Sequence, residues 1–279
     1  MCKEKTIPEL KKLAYILRKD VIDMIWHCDS QSGHFGGSLS AAEIITVLYW
    51  HILDISPENP KRPDRDRVVF SKGHSAPIIY SALAERGYFP MEQLHTYRNV
   101  NSILQGHPDA NKTPGLDTSS GSLGQGLSVA LGMALACRNN GLSYNVYAVL
   151  SDGEMHEGMV WEAFMAAAHY NVANLTVFID YNRMHVTDTT ENVMELEPLE
   201  DKIRSFGWAC VMVDGHDIES ILAAYKVRKV YSSQPFAIIC RTVKGKGVSF
   251  MENSTAWHSA TINEEQYNEA IKQLDYLAD

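Results

Sequence analysis

The sequence predicts an α/β fold: a mostly parallel sheet with helices on both faces. Two observations carry this. Short apolar runs, Val146–Leu150 and Leu175–Ile179 among them, are separated by a helix-like segment from about Met155 to Tyr170. Further apolar runs at Arg67–Phe70, Ala209–Val213 and Phe236–Arg241 alternate with helical patterns in the same way.

Taken in order, Leu10 to Cys28 reads as a helix, with Leu13, Ile16, Leu17, Val21, Met24 and Ile25 at three- and four-residue spacing. The glycines of His34-Phe35-Gly36-Gly37 break it. Ser40 is positioned to cap a next helix, Ala41 to His51. Asn59 to Asp66 is a Pro- and charge-rich loop before the Arg67–Phe70 strand, and Ser75 to Arg86 is helical. Leu104 to Gly121 is irregular. From Ser122 a helix runs to about Arg138, whose Gly126, Ala130, Gly132 and Ala134 call for close packing to offset their weak propensity. A helix from Ile218 to Val230 joins the last two strands, and Glu264 to Leu277 is a closing amphipathic helix. No repeat or linker divides the 279 residues, so one domain is the expectation.

Composition narrows the function. With 45% apolar residues the chain can build a sizeable core, and a net charge of −9 argues against a general nucleic-acid binder. No stretch reaches the roughly eighteen apolar residues of a membrane span, and Met1 to Lys12 is charged with no apolar region after it. The five cysteines are scattered with no C-x-x-C pair; Cys28, Cys137, Cys210 and Cys240 read as reduced core residues. A cytoplasmic protein is expected.

Asp152 follows one apolar strand and Asn182 follows the next, thirty positions on, about one crossover. Parallel neighbours would bring both to one sheet edge, where open α/β sheets bind ligands. A carboxylate and an amide oxygen are hard ligands suited to Mg²⁺ or Ca²⁺, which complete their shells with water and phosphate oxygens. The pattern suggests a metal holding a diphosphate; the plain alternative is a strand-end Asp and a loop Asn. Histidine adds a second signal. Four of eleven, His34, His74, His107 and His216, directly follow glycine, whereas random placement among eighteen glycines gives about 0.7. A glycine turn can present an imidazole to a cavity, or simply hold a satisfied turn histidine.

These motifs together resemble the transketolase family of thiamine diphosphate enzymes. Asp152-Gly153, then Glu154, Glu157, Gly158, Trp161, Glu162 and Ala163, with Asn182 thirty residues after Asp152, is similar to the family's cofactor fingerprint. Ser151 stands where Gly is usual. Ser32 to Ser40 (S-G-H-x-G-x-x-L-S), Ser71-Lys72-Gly73-His74, Gly106-His107-Pro108, Thr118 to Gly126, and Lys244-Gly-Lys-Gly with Trp257-His258 match further segments in family order; Ser259 replaces the usual Gly. The resemblance implies a thiamin diphosphate-binding fold and ketol transfer between a ketose and an aldose. Asp152, Asn182 and the Met184 carbonyl would hold Mg²⁺, for which Ca²⁺ or Mn²⁺ could substitute. His74, Gly121, Ser122, Leu123, Gly153, Glu157, Lys244 and His258 would meet the cofactor. His34, His74 and His107 would meet the sugar, and His156 and His185 would tune its pocket. His216 is assigned to a turn outside the site.

The resemblance covers only the diphosphate-binding region. It therefore implies the amino-terminal subunit of a split transketolase. A partner chain would carry the pyrimidine-binding region, in a two-plus-two hetero-oligomer. The segment Met155–Tyr170 is apolar around much of its circumference, which fits a central helix or a buried interface. The resemblance implies a subunit interface, with Glu157 and Glu162 among its contacts. Alternatives are another thiamine diphosphate enzyme, such as a deoxyxylulose-phosphate synthase or a 2-oxo acid dehydrogenase, and a non-catalytic regulatory subunit.

Overall fold

The fold is that of a computed structural model, which describes residues 5–278 and side chains as far as Asp275. Cys2 lies outside the described residues. In chain order the helices are α1 Ile7–His27, α2 Gly36–Ser40, α3 Ala42–Val47, α4 Ala76–Glu85, α5 Gln125–Asn139, α6 Gly158–His169, α7 Thr190–Val193, α8 Leu199–Ser205, α9 Ile218–Val227 and α10 Glu264–Ala278. The strands are β1 Ser32–Gly33, β2 Arg67–Phe70, β3 Val146–Ser151, β4 Leu175–Tyr181, β5 Ala209–Asp214, β6 Phe236–Arg241 and β7 Ala260–Thr261.

Five strands form an all-parallel sheet in the order β2-β3-β4-β6-β5. Its β3 and β4 residues are buried throughout, as expected where both faces are covered. Alternate residues feed two cores. Tyr147, Val149, Phe178 and Ile238 join α1, α3, α4 and α9 on one face. Ala148, Leu150, Val177 and Ile239 join α5, α6 and α8 on the other. β1 and β7 make a separate antiparallel pair that brings the His34 segment beside the end of the His258 segment.

Local signals account for several boundaries. Thr6 and Glu9 form a capping box at α1, with Pro8 in the first turn; such a cap contributes about 1 kcal/mol. Gly124 opens α5 in a left-handed conformation, φ +84°, which any β-carbon would strain.

Several sequence expectations need correction. Ser40 is not a helix cap: its hydroxyl donates to the Asp180 carboxylate at 2.6 Å, and the predicted Ala41–His51 helix divides into α3 and a π-helical turn, Leu48–Ile52. α5 begins at Gln125, not Ser122, because the Gly121–Gly124 turn precedes it. Within α5 Gly126 packs against Ser71, but Gly132 faces outward, with nothing within 4 Å of the point a β-carbon would occupy. The predicted Met155–Tyr170 helix is a 3₁₀ turn, Gly153–His156, followed by α6. Only one face of α6 is buried, through Val160, Ala163, Phe164 and Ala167, while Glu157, Met159, Glu162 and Met165 are exposed. It is not a central helix. Cys28, Cys137, Cys210 and Cys240 are buried free thiols, as expected.

Candidate active site

The β3–β4 register pairs Ser151 with Asp180, so Asp152 and Asn182 emerge side by side at the carboxyl edge of the sheet. Asp152 donates its backbone N–H to the Asp180 carbonyl at 3.2 Å and accepts from the backbone N–H groups of Gly153 and Arg183. Asn182 Oδ1 accepts from the Met184 N–H at 3.1 Å. Lys244 Nζ stands beside them, 2.7 Å from the His185 carbonyl and 3.5 Å from that of Met184. The predicted oxygen set is thus brought together with Lys244. Burial, then the neighbouring Asp180 charge, raises the Asp152 carboxyl to about 7, and burial lowers Lys244 to about 8. A cation here would offset the repulsion between the two carboxylates.

Two buried carboxylates lie beneath this edge: Asp180, which sequence reasoning did not single out, and Glu154, a member of the fingerprint whose supporting contacts the sequence did not reveal. Asp180 is fully buried; it pairs with Lys72 and accepts from Ser40 and Thr242. Burial would raise its carboxyl, but the Lys72 ammonium and these hydrogen bonds hold it below the usual value. Glu154, also buried, accepts from Ser71, from the Gly124 N–H at 2.8 Å and from the Ser151 N–H. Ser151 returns a bond through its hydroxyl, which accepts from the Glu154 N–H at 3.3 Å, so the serine in place of glycine has a structural partner. The available signal was a charge closing an otherwise apolar strand, Leu175–Asp180.

Four histidines converge next to this edge from four separate segments. His34 follows β1, His74 sits in the 3₁₀ turn Gly73–Ser75, His107 lies in the irregular stretch, and His258 follows the turn Thr255–Trp257. Ring centroids are 5.8 Å apart for His34–His74, 5.6 Å for His34–His107, 5.5 Å for His34–His258 and 5.1 Å for His74–His258. Glycines occur where these segments touch. A β-carbon on Gly37 would lie 3.0 Å from His74 Nε2, and one on Gly73 would lie 2.6 Å from the Gly121 backbone nitrogen. The Gly121 backbone in turn lies against the His107 ring.

Burial lowers His34 to about 4 and His258 to about 3, and carries His74 and His107 down as well. All four are neutral near pH 7, each offering one nitrogen donor and one acceptor. The Nδ1 atoms of His34 and His258 and the Ser120 hydroxyl are buried with no hydrogen-bond partner. Native interiors rarely leave such groups unpaired. Arg98 borders the cluster. It donates to the Ser32 carbonyl at 2.9 Å and lies beneath Gly106, and its charge acts on both His34 and His107.

Other predicted residues stand further out. Leu123 is half-buried and Ser122 exposed on the turn before α5. Glu157 is exposed at the start of α6, against Gly124, and hydrogen-bonds none of the four histidines among the described residues. His156 and His185 bond each other at 2.8 Å, and His156 reaches the Met194 carbonyl at 2.7 Å, so the pair ties the turns after Asp152 and Asn182 together. His216 is held on both sides, by Glu43 at 2.9 Å and by the Val243 N–H at 2.8 Å. A cavity of about 780 Å³ lies along the other flank of the Asn182–Met184 turn, lined also by Arg183 and Arg241, but contains none of the four histidines.

The chain is similar to known proteins along nearly its whole length. Residues 10–278 match the family described as transketolase, thiamine diphosphate binding domain. The chain is 42% identical over 267 residues to a 6-deoxy-6-sulfo-D-fructose transketolase subunit, SqwG, of Clostridium sp. (strain MSTE9), covering 96% of each chain. It is 38% identical over 257 residues to an apulose-4-phosphate transketolase subunit of Phocaeicola vulgatus, covering 92% of this chain and 90% of that one. Among solved structures it resembles transketolase from Campylobacter jejuni with a TM-score of 0.90 and 30% identity, over 97% of this chain but 43% of that one. The chain thus spans less than half of that transketolase, and nearly all of the two subunits. With the match running almost end to end, this chain belongs to the transketolase family and carries its thiamine diphosphate-binding domain.

Proposed function

We propose that this chain is the cofactor-binding subunit of a split transketolase. With a partner chain carrying the pyrimidine-binding region, it transfers a two-carbon ketol unit from an anionic ketose to an aldose. The observation that carries this reading is the meeting of four neutral histidines, two with unpartnered buried Nδ1 atoms, with an oxygen-only ligand set. The relatives that align along nearly their whole length are subunits named for a sulfonated and a phosphorylated sugar, which supports an anionic substrate and a second chain.

The residues fit thiamine diphosphate with Mg²⁺. The carboxylate of Asp152, Oδ1 of Asn182 and the Met184 carbonyl are hard donors that would hold the ion, and being too few to cage it alone they would leave the rest of its shell to phosphate oxygens and water. When bound, thiamine diphosphate would supply the electron sink for carbon–carbon bond cleavage and formation. Lys244 would neutralise diphosphate charge, and His74 and His258 would donate hydrogen bonds to it. Gly73, Gly121 and Gly153 let backbone approach closely, with Ser122 and Leu123 on the adjoining turn. His34 and His107 hold the sugar hydroxyls and exchange protons with them; neutral imidazoles can do both. Glu157, exposed at the start of α6, would meet the partner chain and link it to the cofactor. Two copies of each chain in a cytoplasmic complex is the proposed assembly.

A tagged pull-down from native lysate with thiamine diphosphate and Mg²⁺, read by intact mass and by ketol-transfer assay, tests this. A stoichiometric second chain with cofactor-dependent transfer is the expected result. A chain that elutes alone, with neither cofactor nor turnover, would overturn it and favour a regulatory role.

A further inference from the structure

We propose that Asp23, His27 and His95 form a binding site for a divalent transition metal of the zinc class, separate from the oxygen set at the sheet edge. His27 lies one turn after Asp23 near the end of α1, the i,i+4 spacing that puts both side chains on one helix face. His95 arrives from the 3₁₀ turn Met91–Thr96, seventy-two residues away along the chain. Its Nε2 lies 2.7 Å from Asp23 Oδ2, while His27 Nδ1 lies 3.3 Å from Asp23 Oδ1. All three ligand atoms fall within 4.8 Å of one another.

The geometry is close to what such an ion needs. Bonds of about 2.0–2.1 Å in a tetrahedral site set ligand atoms roughly 3.3 Å apart. The His27–Oδ1 distance already has that length; His95 now contacts the other carboxylate oxygen, and its side chain, 49% exposed, is free to rotate so that both imidazoles face one ion with the Asp23 carboxylate. Two imidazole nitrogens and one carboxylate favour zinc-like ions over Mg²⁺, and three protein ligands leave a fourth position for water.

Two further features favour a shared ion over a pair of surface salt bridges. The His27 and His95 rings are stacked with centroids 4.3 Å apart, so a positive charge on each would be repulsive. Two neutral rings directed at one ion avoid this. Tyr267 of α10 donates its hydroxyl to Asp23 Oδ1 at 2.8 Å, and Tyr267 is itself stacked on Trp26. A ligating carboxylate is commonly oriented by such a partner. His27 Nδ1 also lies 2.9 Å from the Asp23 carbonyl, a contact it gives up when it turns its lone pair to the metal. Bound metal would join α1, the turn that leads to Arg98, and through Tyr267 the last helix.

Calorimetric titration of the chelator-treated chain with zinc chloride, in Mg²⁺-containing buffer, tests the site. The wild type is expected to show one zinc site that the His27→Gln/His95→Gln variant lacks. Tyr267→Phe is expected to weaken it about tenfold. Zinc should raise the thermal midpoint of wild type only, and zinc-edge absorption should report two imidazoles. Equal zinc binding by wild type and the double variant would overturn the proposal, since the ion would then sit elsewhere, for instance among His34, His74, His107 and His258. Absence of any wild-type binding would overturn it too. If the double variant fails to fold, His95→Gln alone serves, because His95 lies on an exposed turn.

Discussion

Two histidine-bearing clusters lie near the carboxyl edge of the sheet, and both contain a histidine that follows glycine. Around His216 the hydrogen bonds are satisfied, although a cavity of about 520 Å³ opens beside Arg18, Glu43 and His216. The His216 Nδ1 bonds Glu43, its Nε2 accepts from Val243, and Glu43 makes a two-pronged pair at 2.7 Å with Arg18, which is 1% exposed. Around His34, His74, His107 and His258 the arrangement is open, with the His34 and His258 Nδ1 atoms buried and unpartnered. Burial and shifted titration mark both clusters, since Glu43 is lowered to about 2 and His34 to about 4. They therefore do not separate structure from function here. What differs is hydrogen-bond satisfaction together with convergence. Single unpaired hydroxyls also occur in the core at Thr46, Tyr49 and Thr176, but around His34 and His258 the unpaired atoms belong to imidazoles that meet from separate segments.

The sharpest way to break this contrast is Glu43→Ala. It leaves the Arg18 guanidinium buried without its anion, and about 3–5 kcal/mol of stability should be lost, read by urea unfolding. In the open cluster His258→Asn should do the reverse. Ketol transfer by the reconstituted enzyme should fall by about 100-fold, the size of one acid–base or hydrogen-bonding role, while the unfolding midpoint stays put. His216→Leu should cost about 1–3 kcal/mol by leaving the Glu43 and Val243 groups unpaired, with turnover per folded molecule unchanged. If His216→Leu lost activity at full stability, or His258→Asn lost stability at full activity, the distinction would fail.

Acid should separate the clusters by where stability is lost. His34 and His258 have lowered pKa values, so below 6.5 the unfolded chain takes up protons that the folded chain refuses. Stability therefore falls as pH drops from about 6.5 towards 4 for His34 and 3 for His258. Glu43 is a lowered carboxylate: its contribution is whole above the ordinary 4.5 and is lost as pH falls from there towards 2. Thermal midpoints from pH 7 to pH 3 should show His34→Asn flattening the first window and Glu43→Ala the second. A His34→Asn profile that overlays wild type between pH 6.5 and pH 4 would contradict the buried neutral assignment.

How much of this was legible in the sequence follows from the range of each interaction. Strand β4 and the Asp152–Asn182 pair could be read because they rest on apolar runs and a crossover length, both local quantities. Gly-His dipeptides flagged three of the four clustered histidines and His216 alike, because a dipeptide reports a turn and not what the ring meets there. Asp180, Lys72 and Glu154 were missed as a supporting network. Each is tied to residues between 30 and 140 positions away, such as Gly124, Lys72 and Ser40, and no local pattern encodes those pairings. Ser40 is the clearest case: its place before a helix predicts a cap, and tertiary contact with Asp180 overrides that propensity. The surface group Asp23, His27 and His95 was invisible for the same reason, since His95 comes from another element.

Arg98 carries the smallest expected effect and tests whether the open cluster needs its outer frame. Its backbone sits in the left-handed region, φ +60°, held by its N–H bond to the Leu104 carbonyl at 2.8 Å, and its guanidinium donates to the Ser32 carbonyl at 2.9 Å. Through Ser32 it sets the segment that presents His34, and through its contact with Gly106 the segment that presents His107. It bonds neither ring, so it is a positioning residue. Arg98→Gln should raise KM for the ketose about fivefold, roughly 1 kcal/mol, with kcat changed less. It should also move the His34 and His107 titrations upward in an NMR pH series, because the positive charge that helps lower both is gone. Arg98→Lys should restore the titrations but only part of KM, since an ammonium keeps the charge and loses the planar fork. A variant with unchanged KM and unchanged histidine titrations would mean that the glycine turns hold His34 and His107 without it.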